Sequence, residues 1–383
     1  MRVAQVCDLE VEAANGVSRA VATLVEHLAR LGVELECWNI SSAVPAISDR
    51  TIRGVRVLDL PARGRALGML AGLPDPTRDA IRQRRVDLVH FHSVFIGHNV
   101  HAARLLGVPY VVTPHGGYAQ AVLDGSNRFA KRLWLAGWEE RYLQRARVVH
   151  AVSEAERDAL RQRWPGLSIR YVPNAVDLPD LIGGVPPASD DFVFLGRLAT
   201  DHKGLDIMLR GFARFARRGG TGRLVLAGPD WRGCRATLQR LAEAEGMADR
   251  VVFPGPVFAE AKTRLLAGAR AFVHTSRWEG LPLAVLEAMA NATPVLVTPE
   301  TNLAAIVTRY RAGVVCRGDP DAIADAFSAL ASAPEAEKRS RRQAARRLVE
   351  ENFGWPRVRR DLMRLYEDAV ATPPGTHTAN PVQ

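Results

Sequence analysis

The sequence predicts an α/β chain built as two doubly wound parallel-sheet domains facing a central cleft, and three observations predict it. Short apolar runs alternate with amphipathic helical stretches from one end to the other, the pattern of repeated βα units. The opening is one such unit: Arg2 to Asp8, a Gly-containing polar turn from Glu10 to Gly16, a helix, and a strand from Val33 to Ile40. A Pro/Gly-rich stretch then divides two such series within 383 residues, a length that suits two cores.

The elements follow in order. The first helix carries Val17, Val21, Leu24, Val25, Leu28 and Leu31 at helical spacing and stops at Gly32. Further strands are expected at Val55 to Asp59, Leu88 to His92, Tyr110 to Thr113 and Val148 to Ala151, with helices including Asn99 to Leu106 and Arg128 to Gln144. Pro61 to Pro76 is Gly/Pro-rich and basic, so it reads as loop and helix start. The first domain spans 1–178, and 179–191, within LPDLIGGVPPASDD, reads as a linker. The second domain, 192–355, repeats the pattern with strands at Phe192 to Leu195, Leu224 to Ala227, Val251 to Phe253, Ala271 to His274, Val295 to Thr298 and Gly313 to Cys316. Its helices are Leu205 to Arg217, Arg235 to Ala244, Ala259 to Ala267 and Leu283 to Ala290. An amphipathic helix at 356–370 is expected to cross back to the first domain, followed by a disordered tail, 371–383.

Composition narrows the class. Hydrophobic content of 47% with 24% charged residues describes a soluble globular protein. The four cysteines, Cys7, Cys37, Cys234 and Cys316, are scattered without C-x-x-C spacing and fit buried thiols. Met1 to Leu9 is too short for a signal peptide, and no run reaches the roughly 20 apolar residues of a spanning helix, so a cytoplasmic location is expected. Net charge is +10, from 51 Lys and Arg against 41 Asp and Glu. That sign suits nucleic acid, anionic lipid or a phosphorylated substrate. The aromatic-basic interleaving and finger motifs of nucleic-acid binding are missing, so no nucleic-acid partner is expected.

The chemistry concentrates at strand ends. Ala271 to Pro294 reads as strand, ligand-facing loop and helix N-terminus, an arrangement that offers free N–H groups to an anion. Glu279 lies in the loop, and Glu287 lies in the helix between the apolar Val285, Leu286, Ala288 and Met289. A carboxylate in such a setting needs a partner, which a hydroxyl-rich ligand would supply. Gly196 and Arg197 end the second domain's first strand, with Lys203 and Gly204 before its first helix. Two cations, a helix N-terminus and two carboxylates describe a nucleotide-sugar site better than a dinucleotide site. Gly16 permits φ > 0 and close approach of a phosphate at the first turn. Asp319-Pro320-Asp321 has the D-x-D spacing of a metal motif but precedes a helix, which an N-cap explains better. His90 and His92 share one strand face, where a polar cleft or core role is preferred to metal ligation.

The chain resembles a family 4, group 1 retaining glycosyltransferase with the GT-B fold of two Rossmann-like domains. The blocks that carry the likeness are NGVSRAVATLVEHLARLG (15–32), DLVHFH (87–92), TPHG (113–116), VVHAVSEAE (148–156), VPNAVD (172–177), FLGRLATDHKGLD (194–206), VLAGP (225–229), FPGPV (253–257) and SRWEGLPLAVLEAMA (276–290). The last block holds an E-x7-E signature, Glu279 and Glu287. The resemblance implies that Gly16 meets the donor diphosphate and that Arg197 and Lys203 neutralise it as it leaves. It places Glu279 at the sugar hydroxyls, Glu287 at the ribose, and Gly280, Leu281, Pro282 and Leu283 along the diphosphate. It puts His115 between the domains near the transferred sugar, with lesser polar contacts from Ser276 or Arg277. Glu279 is disfavoured as a nucleophile, since it sits away from the anomeric back face.

Three features depart from the family pattern. Asn15-Gly16 replaces Gly-Gly, Lys203 lies one position late after Arg197, where a local bulge is expected, and Trp278, which could stack on a base or sugar, replaces Tyr or Phe. The implied reaction moves a sugar from a nucleotide diphosphate, UDP or GDP, to a saccharide or lipid-linked acceptor with an α-linkage, and needs no metal or cofactor. Arg63, Arg65, Arg82, Arg84, Arg85, Arg128, Lys131 and Arg132 could touch an anionic membrane at its inner face. The alternatives are transfer to a small free sugar or sugar phosphate, and a non-catalytic nucleotide-sugar-binding subunit.

Overall fold

The computed structural model describes residues 1–7, 16–30, 32–52, 54–64, 72–125, 127–180 and 189–371. Asn15, Arg65, most of the linker and the tail beyond 371 lie outside the described residues. The chain divides into two compact units, residues 1–173 with 356–383, and residues 174–355.

The first unit's sheet is formed by β1 (Arg2–Val6), β2 (Glu34–Ser41), β3 (Ser48–Ile52), β4 (Val55–Pro61), β5 (Leu88–His92), β6 (Tyr110–Thr113), β7 (Val148–Ala151) and β8 (Ile169–Tyr171). Their order across the sheet is β3-β4-β2-β1-β5-β6-β7-β8, parallel throughout except for β3, which runs antiparallel to β4. Strands β5, β6 and β7 are buried along their whole length, as parallel strands covered on both faces must be. The two strands the sequence does not announce are β3 and β8. The first is polar and exposed at the edge, where Arg50 pairs with Asp59 of β4 at 2.7 Å; the second has three residues.

The second unit holds β9 (Phe192–Leu195), β10 (Leu224–Ala227), β11 (Val251–Gly255), β12 (Ala271–His274), β13 (Val295–Val297) and β14 (Gly313–Val315), all parallel, in the order β11-β10-β9-β12-β13-β14. Its core centres on a ring cluster in which Phe192 meets Phe327 edge-on at 4.6 Å and Phe212 and Phe215 pack beside them. Asp319 caps the Pro320–Ala331 helix by accepting from the Ala322 N–H at 3.0 Å. Part of the D-x-D pattern is therefore a helix cap.

Two helical stretches differ from the expected form. Arg128 to Gln144 is not one regular helix: Arg128–Trp134 and Glu140–Arg145 are joined by a π-turn, Leu135–Glu139. The wide turn buries Glu139, which accepts from the Phe95 N–H at 3.1 Å, the Tyr118 hydroxyl at 2.9 Å and the Trp134 indole. The 18-residue helix Glu335–Asn352 is unannounced because its apolar positions are few and clustered. The last helix, Trp355–Ala371, lies in the first unit from Pro356 onward, and its Tyr366 is fully buried there. No helix among the described residues is long and apolar enough to cross a membrane.

Candidate active site

In the second unit the order of strand addition reverses between β9 and β12: β10 and β11 lie on one side, β13 and β14 on the other. Segments leaving adjacent strands at such a switch point diverge and open a ligand-sized crevice at their carboxyl ends. Gly196-Arg197 leaves β9 there, beside Thr275-Ser276 leaving β12.

Arg197 is half-buried, with its guanidinium carbon 4.6 Å over the Trp231 ring. Among the described residues no carboxylate pairs with it. The indole fixes the plane of the guanidinium without consuming its charge.

Lys203 arrives on a one-turn helix, Thr200–Lys203, ended by Gly204 at φ +61. The extra residue after Arg197 is thus absorbed as helical turn and not as a bulge. A Cβ on Gly204 would lie 2.2 Å from the Thr275 carbonyl oxygen, so only glycine lets this turn seat against the end of β12. So placed, Lys203 Nζ donates to Glu279 Oε1 at 2.6 Å. His274 Nε2 at 2.9 Å and the Ser276 hydroxyl at 2.7 Å donate to the same oxygen. Burial alone would raise the Glu279 pKa; the Lys203 charge and the His274 hydrogen bond outweigh it and hold the carboxyl well below the usual range.

The loop carrying Glu279 is clamped from behind. Asn302 Nδ2 donates to the Glu279 carbonyl at 2.6 Å and to that of Gly280 at 3.0 Å. Trp278, expected to stack on a base or sugar, stacks instead on the His202 ring at 4.6 Å, and His202 Nε2 donates to the Trp278 carbonyl at 2.9 Å. Arg277 turns away to the Thr200 carbonyl and Asp206, while Ser276 serves Glu279. The loop delivers buried Gly280, Leu281 and Pro282 to the start of Leu283–Ala290. That helix has no side-chain cap and no acid in its first turn, which leaves its positive end open to an anion. Glu287, for which a ligand hydroxyl was the expected partner, accepts from Lys262 Nζ at 2.9 Å. The protein itself thus supplies one partner, on Oε1.

In the first unit the order of strand addition reverses between β1 and β5. Gly16, after β1, is exposed and takes helical backbone as the first residue of Gly16–Ala29. Among the described residues a Cβ there would meet nothing within 4 Å. His115, after β6, is half-buried at φ +53. Its turn is held by Glu156, whose Oε1 accepts from the Gly116 N–H at 2.6 Å and whose Oε2 accepts from the Val152 N–H at 2.8 Å. His115 Nε2 lies 3.0 Å from His92 Nδ1. His90 and His92 are buried with ring centroids 4.2 Å apart, in the polar-core role expected of them.

Arg197, Lys203, Glu279 and the 280–283 segment are therefore gathered in the second unit with Glu287 on the adjoining helix, whereas Gly16 and His115 belong to the first. Sequence reasoning missed His274, Lys262, Asn302 and Glu156 as supports. His274 closes an apolar run and reads as strand, and Lys262 lies 25 residues from its partner with no spacing that links them.

Comparisons with known proteins agree with this geometry. Residues 14–179 match the Glycosyltransferase Family 4 model and residues 189–333 the Glycosyl transferases group 1 model. A GDP-mannose-dependent alpha-mannosyltransferase of Mycolicibacterium smegmatis is 31% identical over 396 residues, covering 96% of this chain and 97% of the relative. A GDP-mannose:cellobiosyl-diphosphopolyprenol alpha-mannosyltransferase of Xanthomonas oryzae is 29% identical and covers 77% of each chain. Among solved structures, sucrose-phosphate synthase of Thermosynechococcus elongatus superposes with a TM-score of 0.77 at 20% identity, over 97% of this chain and 99% of that one. Two parallel-sheet units with switch points at β1/β5 and β9/β12, near full-length likeness to a mannosyltransferase and two adjoining family matches lead to one assignment: the chain belongs to the family 4, group 1 glycosyltransferases of GT-B fold.

Proposed function

We propose that this glycosyltransferase moves a hexose, with mannose from GDP-mannose the first donor to test, onto a saccharide carried by a lipid diphosphate, with an α-linkage. The carrying observation is the convergence at the β9/β12 switch point of Arg197, stacked on Trp231 and paired with no carboxylate among the described residues, the Lys203–Glu279 pair and the uncapped helix at Leu283. Glycosyl transfer builds positive charge on the sugar ring and negative charge on the departing phosphate. Arg197, Lys203 and the N–H groups of Leu281 and Leu283 are the groups suited to the departing charge, while Pro282 has none to offer. Glu279, held ionised by its three donors, is placed to bind sugar hydroxyls, and Glu287, braced by Lys262, the ribose. Gly16 leaves room for the diphosphate and His115 takes the transferred sugar. The acceptor hydroxyl loses its proton to the departing phosphate on the same face, and no step in this reading passes through a metal or cofactor. The donor assignment draws on relatives whose names specify GDP-mannose; the acceptor class draws on the diphosphopolyprenol relative.

A lipid-borne acceptor requires approach to a membrane, at the inner face of the cytoplasmic membrane in this reading. Phe129 and Leu133 are 67% and 73% exposed, one helical turn apart, with Trp138 also exposed within the π-turn. Exposed Arg128, Arg132 and Arg141 flank them. Apolar side chains ringed by cations suit insertion among anionic headgroups. Arg132, Arg82 and Arg84 lend less, being paired with Asp124, Asp79 and Glu36.

The test is release of nucleoside diphosphate by the purified chain from GDP-mannose, UDP-glucose and UDP-N-acetylglucosamine, with and without diphosphopolyprenol-linked disaccharide. Acceptor-stimulated release from GDP-mannose supports the proposal. Faster release from a UDP-sugar, or stimulation only by a free sugar phosphate, replaces it.

A further inference from the structure

One polar chain threads the interior of the first unit and ends on His115. His150 Nε2 lies 2.7 Å from the Val172 carbonyl and its Nδ1 2.8 Å from the Thr113 hydroxyl. Thr113 Oγ1 lies 2.6 Å from His90 Nε2, and His90 Nδ1 lies 2.8 Å from the Tyr366 hydroxyl. Gln5 Nε2 donates to that hydroxyl at 3.0 Å, and Gln5 Oε1 lies 2.8 Å from His92 Nε2. His92 Nδ1 closes the chain on His115 Nε2 at 3.0 Å.

The proton positions along this chain follow from its first link. A carbonyl only accepts, so His150 carries its proton on Nε2 and its Nδ1 is bare. Thr113 must then donate to His150 and accept from His90 Nε2–H. His90 Nδ1 is bare in turn, so the Tyr366 hydroxyl donates to it and accepts from the Gln5 amide. The Gln5 carbonyl oxygen therefore faces His92 and takes its Nε2–H, leaving His92 Nδ1 bare to accept from His115 Nε2–H. Every step assumes neutral imidazoles, and burial pushes the His115 pKa down to about 3 and that of His150 down to about 4, with His90 and His92 also well below the usual value. Among the described residues no group hydrogen-bonds His115 Nδ1.

We propose that this chain fixes His115 as the Nε2–H tautomer, an obligate hydrogen-bond acceptor at Nδ1, so that it selects a ligand carrying a hydroxyl there and rejects one presenting a carboxylate or fluorine. Tyr366, Gln5 and Thr113 are positioning residues for it. What His115 meets rests on the function proposed above; the tautomer itself does not.

Tautomers are read from side-chain 15N shifts of histidine-labelled full-length protein at pH 7, with His115→Asn used to assign the signal. The expected spectrum shows His115 protonated on Nε2 and bare on Nδ1. An Nδ1-protonated or doubly protonated His115 overturns the proposal, and the ligand-free wild-type spectrum decides this even if a variant fails to fold. Tyr366→Phe and Thr113→Val each interrupt the chain. Each is expected to redistribute the His115 tautomer and to lower kcat/KM by about tenfold to a hundredfold, the range of such supporting groups. A redistributed tautomer with wild-type kcat/KM overturns the functional half. Donor-independent inactivity of the wild type would instead count against the proposed function and leave the tautomer result standing.

Discussion

Lys203 and Glu279, 76 residues apart, meet at 2.6 Å because the strands that precede them, β9 and β12, are neighbours in the sheet. The cation is thus oriented before any ligand arrives, and the carboxylate it pairs with is already ionised.

Removing that cation has a defined cost. In Lys203→Met, donor turnover is expected to fall by about 10²–10³-fold, the usual loss when one preorganised donor to a developing anion is deleted. The buried Glu279 loses its compensating charge, so its pKa rises toward and past the ordinary carboxylate value. A Lys203→Met enzyme turning over donor within twofold of wild type would remove Lys203 from the reaction.

Lys262 and Glu287 form a half-buried pair, 20% and 18% exposed. Lys262→Met removes the cation beside a mostly buried carboxylate and is expected to destabilise the chain by about 1–3 kcal/mol; Glu287→Gln in the same chain should restore much of this. Donor KM should rise in Glu287→Gln if that carboxylate holds the ribose. Urea unfolding of both singles and the double closes the cycle, and additive effects would mean that the pair is not coupled.

Vesicle sedimentation tests the exposed Phe129–Leu133 face. Wild-type protein is expected to bind vesicles containing phosphatidylglycerol and to leave phosphatidylcholine vesicles unbound. Phe129→Ser with Leu133→Ser should abolish binding while donor hydrolysis in solution is unchanged. Concentration-dependent dimerisation lost in the same double variant would assign this face to a second copy of the chain.

The buried histidines carry a pH signature. Their folded pKa values lie below the unfolded value near 6.5, so the unfolded state takes up protons first as pH falls. Stability is fully present above about pH 6.5 and declines below it, by about 1.4 kcal/mol per pH unit for each of His90, His92 and His150 while it stays neutral in the fold. Chemical unfolding between pH 7 and 5 measures this. A flat profile over that interval would mean that these imidazoles are charged in the folded state.

What the sequence made legible follows from where information is local. Buried strands such as Phe192–Leu195 and glycine-punctuated strand ends are visible in any short window, and the Glu279–Glu287 spacing sits in one block. Ser48–Ile52 was invisible because an exposed antiparallel edge strand needs no apolar residues. Lys262 was not legible for a different reason: burial of the Glu287 carboxylate announces that partners are needed, and only the fold says that Lys262 is one of them. His90 and His92 were readable as a polar pair, but the hydrogen-bonded route from His90 to His92 and on to His115 passes through Tyr366, 276 residues from His90.

That distance has a consequence for synthesis. Residues 174–355 form a contiguous unit and can fold as they leave the ribosome, whereas the unit that holds residues 1–173 lacks its last helix until residues 356–371 have been made. During that interval Gln5 and His90 await a hydroxyl 361 residues downstream of the first of them. The unit whose synthesis starts before the other is completed after it, so a nascent chain stalled before Tyr366 carries a complete 174–355 unit and an unfinished partner to it.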